Sequence, residues 1–420
     1  MENEKKIKIL TLSDHPLYPT GVAHQTKLFI ESLLETGKFC FISFGGALKH
    51  QSMQPTKTEK WGDDWTIYPV IEFGNPELVR SILRTEKPDI LWFMTDPRFF
   101  GWLWQMEDEI RPLIPMVYYH VWDNKPTPTF NETIYKSTDV IATISKLTDD
   151  IVKEVSPNVE RVYLPHAVDT NIFKPLSKEE FENQRLRIFG ASHNKFVWFW
   201  NNRNARRKNS GDLLFWYKDF LDETGHDKSV LFMHTNPFDV EGPNLISIME
   251  HLGLTKGQVV ISMEPYPIEY IATLNGVCDC VINISEAEGF GLNVCEGMAC
   301  GKPIIANMTG GLQDQVFDGE KYYGVGIKPV SKNIIGSQQI PWIYEDRISR
   351  EDFVDAMKKI FYMPKDERLA LGESARESIL KRFDITQYKK SWVDLMLYVH
   401  EKYGSWDTRK LYIPYELIEL

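Results

Sequence analysis

The sequence predicts an α/β protein of two domains, each built on a parallel sheet covered by helices, and three observations carry that prediction. The chain has 420 residues, more than one hydrophobic core usually serves, so two domains are expected. Short apolar runs alternate with helix-like segments through both halves. That is the pattern of strands buried on both faces. Composition is that of a folded protein, 43% hydrophobic and 25% charged, without a low-complexity tract.

The elements follow in order. Residues 7–13 read as a buried strand, and residues 14–21 as a turn-rich loop. Residues 22–36 have helical spacing, with Leu28, Ile30, Leu33 and Leu34 on or near one face. Residues 39–44 and 65–70 are strands, separated by a polar surface excursion at 49–64. Residues 75–86 are helical. Apolar strands follow at 90–94, 116–121 and 140–144, and residues 161–168 close the first half. Residues 176–194 are polar and aperiodic and read as the crossing between domains. The second half repeats the alternation, with strands at 196–200, 230–234, 259–262, 280–284 and 303–306. Helices are expected at 212–224, 244–252 and 292–300. From residue 349 the chain is largely helical, at 351–362, 365–383 and 386–402. The domain division is 1–185, 186–385 and a C-terminal helix and tail at 386–420.

Bulk properties narrow the function. A formal net charge of −11 disfavours tight binding to nucleic acid or to an anionic membrane. Aromatic residues make up 13%, with 12 Trp, and are expected chiefly in the core. The five cysteines, Cys40, Cys278, Cys280, Cys295 and Cys300, form no CxxC pair. They read as small reduced hydrophobes rather than zinc ligands. The N-terminus carries no apolar signal core, and no run of about 18 apolar residues occurs. A cytoplasmic protein without a transmembrane segment is expected.

Chemistry is expected at the carboxyl ends of the strands. Glu288 and Glu296 flank a loop with two glycines and a helix start. A glycosidase pair stands about 5–9.5 Å apart, whereas eight residues along one helix separate backbones by about 12 Å. The spacing suits one ligand with two hydroxyl-bearing parts, a sugar at Glu288 and a ribose at Glu296. Free amides around Gly289, Phe290, Gly291, Leu292 and Asn293 favour an anion between them. Arg203 and Lys208 sit in a basic loop after the first strand of the second half, where a pyrophosphate leaving group needs donors. Arg206 and Arg207 have no assigned role. Gly21 lets the backbone of the first loop approach a ligand, although the G-x-G-x-x-G fingerprint is absent. His120 ends an apolar strand, with Trp122 and Asp123 as acceptor-side candidates just beyond it. Ser145 is a lesser candidate.

The segment SEAEGFGLNVCEGMACGKPIIA at 285–306 resembles the donor signature of the retaining GT-B glycosyltransferases of family four, the glycosyl transferases group 1. TGGLQD at 309–314 is similar to the family's Gly-Gly turn followed by an acid, with Asp314 where Glu is usual. LPHAVDTNIF at 164–173 is similar to its Pro-Asn-Gly-Val-Asp segment, with His166 and Ala167 in place of Asn-Gly. Arg203 and Lys208 match its Arg-x4-Lys pattern. The resemblance covers most of residues 6–400 and is strongest at 195–320.

This resemblance implies two Rossmann-like domains facing across a cleft, with the C-terminal helix crossing back to the first. It implies transfer of a hexose or pentose, with retention, from a UDP-sugar or GDP-sugar to a hydroxyl of a glycan or glycolipid precursor. Arg203 and Lys208 would neutralise the pyrophosphate, Glu288 would orient the sugar, and His120 would lie near it. No metal or other cofactor is expected, in keeping with the absence of an Asp-x-Asp motif. Three alternatives are a virus-type enzyme acting on hydroxylated DNA bases, a phosphorylase or epimerase, and a non-catalytic nucleotide-sugar binding protein. The DNA alternative would draw on a basic patch of Lys49 and residues 206–208.

Overall fold

The structure is a computed structural model and describes residues 5–48 and 54–412. In the first half the strands are β1 (Ile7–Asp14), β2 (Phe39–Leu48), β3 (Thr56–Lys57), β4 (Trp65–Ile71), β5 (Ile90–Met94), β6 (Met116–His120), β7 (Val140–Thr143) and β8 (Glu160–Tyr163). They form one sheet in the order β3-β4-β2-β1-β5-β6-β7-β8. All neighbours are parallel except β3 against β4. Every residue of β5 and β6 is buried. These strands therefore read as continuous apolar runs rather than alternating ones.

The second half holds β9 (Phe196–Asn201), β10 (Ser229–His234), β11 (Val259–Ser262), β12 (Cys280–Asn283), β13 (Ile304–Asn307) and β14 (Gly324–Ile327). These form an all-parallel sheet in the order β11-β10-β9-β12-β13-β14. An antiparallel hairpin, β15 (Ser331–Ile335) with β16 (Ile343–Arg347), stands apart from both sheets. In each sheet the order reverses at the first strand, between β1 and β5 and between β9 and β12. Ligands of such sheets bind at that switch.

Helix Ile385–Tyr403 follows the second sheet in sequence but packs on the first. Its Trp392 meets Phe29 and Tyr119, each with ring centroids 4.8 Å away, and Trp92 at 6.0 Å. Phe29 belongs to helix Gly21–Leu34, which Thr20 caps by accepting from the Ala23 amide. The fold is therefore the two-domain α/β arrangement with a returning C-terminal helix that the resemblance implies.

Several segments differ from expectation. The stretch read as an aperiodic crossing contains helix Lys178–Phe189, opened by a capping box between Ser177 and Glu180. Its best-buried residues are Phe189 and Arg185. The Arg185 guanidinium donates to the carbonyls of His193 (2.6 Å) and Val277 (3.2 Å) and to Asp279 (2.8 Å). A helix anchored by a buried arginine shows no apolar stripe, so periodicity misses it. Helix Ile268–Val277, β14 and the hairpin were also not anticipated. All five cysteines are free and four are buried. Lys49 lies outside the described residues. Among the described residues no helix is long and apolar enough to cross a membrane.

Candidate active site

Two loops at the switch point of the second sheet build the site. The first leaves β9 and makes a single helical turn at Arg206–Lys208. Asn209, with φ +54°, ends the turn and donates to the Ile284 carbonyl at 3.1 Å. The second loop follows β12, and the Glu286 amide donates to the Arg207 carbonyl at 2.8 Å. The two loops are thereby held side by side, which brings the Lys208 ammonium onto the Glu288 carboxylate.

Neither partner is well solvated: the side chains are 9% and 14% exposed. Burial, aided by the neighbouring charge of Arg207, lowers the Lys208 ammonium to about 8 against the pull of Glu288. Burial alone would raise Glu288. The charges of Lys208 and Arg207 outweigh it, and the carboxyl sits below its ordinary value. Arg207 donates to the Ala287 carbonyl and stands 3.9 Å from Glu288.

The glycine loop is set by close backbone approach. A Cβ on Gly310 (φ +48°) would lie 2.0 Å from the Glu288 carbonyl oxygen, and one on Gly311 would lie 2.3 Å from that of Gly289. The Gly311 amide donates to the Glu288 carbonyl at 2.9 Å. Gly291, with φ +89°, opens helix Leu292–Ala299 without a side-chain cap. The amides at that start are thus left for a ligand or water.

The Phe290 side chain is buried between His166 and Phe383, at 5.3 Å from each ring, so only its backbone faces the site. Asn293 accepts from the Asn283 amide at 2.9 Å. Glu296 is half-buried, and its carboxylate has no hydrogen-bond partner among the described residues; burial pushes it up to about 8.

The first half supplies the facing wall. The Val121 carbonyl would lie 3.1 Å from a Cβ on Gly289, and Leu292 3.4 Å from a Cβ on Gly21. Asp123 is half-buried and is raised to about 6 by burial, with Arg207 and Lys208 opposing and Glu288 and Asp96 reinforcing the rise. Asp96 is raised by burial and drawn down by Arg98 and Arg207. Carboxylates of the first half therefore face cations of the second.

Other sequence candidates lie elsewhere. Arg203 is not brought to Lys208. Its exposed guanidinium chelates Asp239 at 2.7 and 3.0 Å, because the loop after β10 offers a carboxylate that linear spacing does not reveal. Arg207, unassigned from sequence, stands beside Glu288 instead.

His120 is fully buried behind the wall. Its Nε2 pairs with the Tyr135 hydroxyl at 2.7 Å, and burial lowers it to about 3, leaving a neutral ring. Trp122 is corrected from acceptor candidate to core residue: it is buried and donates to the Asn124 carbonyl at 2.7 Å. Ser145 caps helix Lys146–Val155. Asp314 accepts from the Lys146 amide at 2.9 Å, a bond between the two halves.

Comparison with known proteins agrees with this architecture. Residues 171–376 match the family model for glycosyl transferases group 1. The trehalose synthase of Pyrococcus horikoshii is 27% identical over 146 residues, 32% of this chain and 29% of that protein. The N-acetyl-alpha-D-glucosaminyl L-malate synthase of Bacillus anthracis is 20% identical over 277 residues, 64% of each chain. The matched stretch thus spans less than two thirds of either relative. Among solved structures, sucrose-phosphate synthase from Thermosynechococcus elongatus superposes with a TM-score of 0.75 at 15% identity, covering 95% of this chain and 100% of that one. Anabaena HepE in complex with UDP and glucose gives 0.68 at 16%, covering 93% and 100%. At these identities the likeness is one of fold.

Proposed function

We propose, from the premise that residues 171–376 match the family model for glycosyl transferases group 1, that this chain transfers a hexose or pentose from a nucleoside-diphosphate sugar to an acceptor hydroxyl. The observation that carries the reading is the buried Lys208–Glu288 pair beside uncapped helix-start amides and a free Glu296. Lys208, Arg207 and the amides from Phe290 to Asn293 receive the diphosphate, whose negative charge grows as the glycosidic bond breaks. Glu296 has open acceptor positions for the two ribose hydroxyls. Glu288, ionised by its cationic neighbours, lies where positive charge develops at the anomeric carbon. Binding of UDP by the similarly folded Anabaena HepE supports a UDP-sugar donor, and GDP-sugar is the other candidate.

Asp123 stands on the acceptor side and is suited to hold the incoming hydroxyl. A departing phosphate oxygen takes the hydroxyl's proton, which is consistent with retention of configuration. Fixed cations do the work of a divalent ion in this scheme, so turnover in excess EDTA is expected to match that in its absence.

A glycan or glycolipid acceptor is favoured over DNA. Arg206 is paired with Glu345 and Glu286, and Lys208 with Glu288, which neutralises the basic patch that DNA would need.

The test is a thermal-shift screen against UDP-, GDP-, ADP- and CMP-sugars, followed by turnover. Ligand at 100 times Kd is expected to add about 2.7 kcal/mol of stability. Lys208→Ala and Glu288→Ala are expected to lose turnover by at least about 100-fold while remaining folded. Full activity in both variants would overturn the assignment.

A further inference from the structure

The hairpin β15–β16 belongs to the second half by sequence, yet its tip is seated on the first. Ile340, at its turn, is 8% exposed and packs in a cluster with Trp122 and Tyr135. Trp342 meets the ring of Phe130 edge-on at 5.0 Å. The Tyr344 amide donates to the Lys125 carbonyl at 2.5 Å, and the Asn124 side chain donates to the Tyr344 carbonyl at 2.7 Å. Asn124 and Lys125 directly follow Asp123, the carboxylate that faces the cleft. The hairpin turn thus makes an apolar plug, and Tyr344 adds one backbone bond and one bond from a side chain, to the segment that carries the acceptor-side acid.

The neighbouring residues of the same strand grip the donor side. Glu345 is 2% exposed and accepts from both terminal guanidinium nitrogens of Arg206. Arg206 opens the turn that presents Arg207 and Lys208 to Glu288. The Asp346 amide donates to the Glu286 carbonyl at 2.9 Å, and its carboxylate accepts from Thr309 at 2.8 Å. Arg347 reaches Glu286 at 3.1 Å. Consecutive residues of β16 therefore bind the acceptor wall, the cation turn and the glycine loop.

We propose that the β15–β16 hairpin is a latch across the cleft, with Glu345 as a positioning residue that sets the 206–208 turn against the acceptor wall. The latch makes the distance between donor and acceptor sides depend on one strand rather than on the interdomain hinge alone. A role in transfer rests on the function proposed above; the latch itself does not.

The experiment compares the full chain with Ile340→Ala/Trp342→Ala, Asn124→Ala and Glu345→Gln, using UDP as the binding probe. The double variant is expected to expand in small-angle scattering and to lose hydrogen-exchange protection over residues 122–135, while UDP affinity stays within about twofold. Asn124→Ala, which removes a single bond, is expected to move the same exchange signal in the same direction should the double variant fail to fold. Glu345→Gln is expected to leave scattering unchanged and to weaken UDP binding several-fold. Unchanged scattering and exchange in the double variant, or unchanged UDP affinity in Glu345→Gln, would overturn the proposal. Opening of the latch in a protein that shows no sugar transfer would instead overturn the proposed function and leave the latch standing.

Discussion

Lys208 shows how one side chain ties burial to a working pH. Its ammonium is lowered to about 8, so it begins to lose its charge just above physiological pH, and with it the attraction for a diphosphate. Donor kcat/KM is therefore expected to fall above pH 8 by up to tenfold per unit. Lys208→Arg stays charged throughout and is expected to start lower but extend the plateau to higher pH. An identical alkaline fall in both proteins would refute the assignment.

Glu296 gives a stability prediction of opposite chemical sense. Its folded pKa is raised from 4.5 to about 8, so the neutral form is the one the fold favours. The favourable contribution is complete below pH 4.5 and is lost as pH rises through 8. At about 1.4 kcal/mol per unit the span is at most about 5 kcal/mol, and less because the half-buried carboxyl keeps some water. Glu296→Gln is expected to flatten the fall in urea-unfolding free energy between pH 5 and 9. Parallel pH profiles for the two proteins would count against the shift.

At this scale the sequence was legible where chemistry is local. Lys208 and Glu288 lie on loops that leave strand ends the apolar pattern locates, and Glu296 lies on the helix that follows. Arg203 and Arg207 were not distinguishable, because the choice between them depends on Asp239, which approaches only after β10 is placed. His120 and Trp122 could not be separated from cleft residues, since the packing of Tyr135 and Phe130 against them is long-range.

At the scale of elements, the glycine loop depends on residues without a Cβ. Gly310 combines φ +48° with a Cβ position 2.0 Å from the Glu288 carbonyl oxygen. Gly310→Ala is expected to cost about 3 kcal/mol from backbone strain and overpacking, and to lower turnover further by displacing Glu288. Gly319 has φ +107° but open space around it, so Gly319→Ala is expected to cost about 1 kcal/mol from backbone strain alone. Urea unfolding of the two variants separates close approach from conformational preference; equal costs would show that crowding at Gly310 is relieved by loop movement. The parallel strands were readable because burial on both faces makes them apolar throughout. The hairpin was not, because its charged residues are satisfied by Arg206, Glu286 and Thr309, far away in sequence. Helix Lys178–Phe189 was hidden for the same reason: its anchor is an arginine bound to carbonyls of the second half.

For the whole molecule, the returning helix decides whether the halves are independent. Trp392 is fully buried and fills the space between Phe29, Trp92 and Tyr119 on one face of the first sheet. Lys389 and Lys402 add ion pairs to Glu35 and Glu160, at 2.7 and 2.6 Å, but such exposed pairs contribute little. Apolar burial by Trp392 and its neighbours on the helix outweighs them, and it is reached only by a chain that has already passed through the second sheet. Trp392→Ala is expected to cost about 3–5 kcal/mol. The loss should be confined to the first half: hydrogen exchange should accelerate in β1 and β5 while β9 and β12 keep their protection. Equal acceleration in both sheets would instead mean that the halves unfold as one unit. No acceleration in β1 and β5 would mean that helix Gly21–Leu34 alone suffices to cover that face. The confined pattern requires that a fragment ending before Ile385 leave Trp92 and Tyr119 open to water, so the first half gains its stable core only when helix Ile385–Tyr403 arrives.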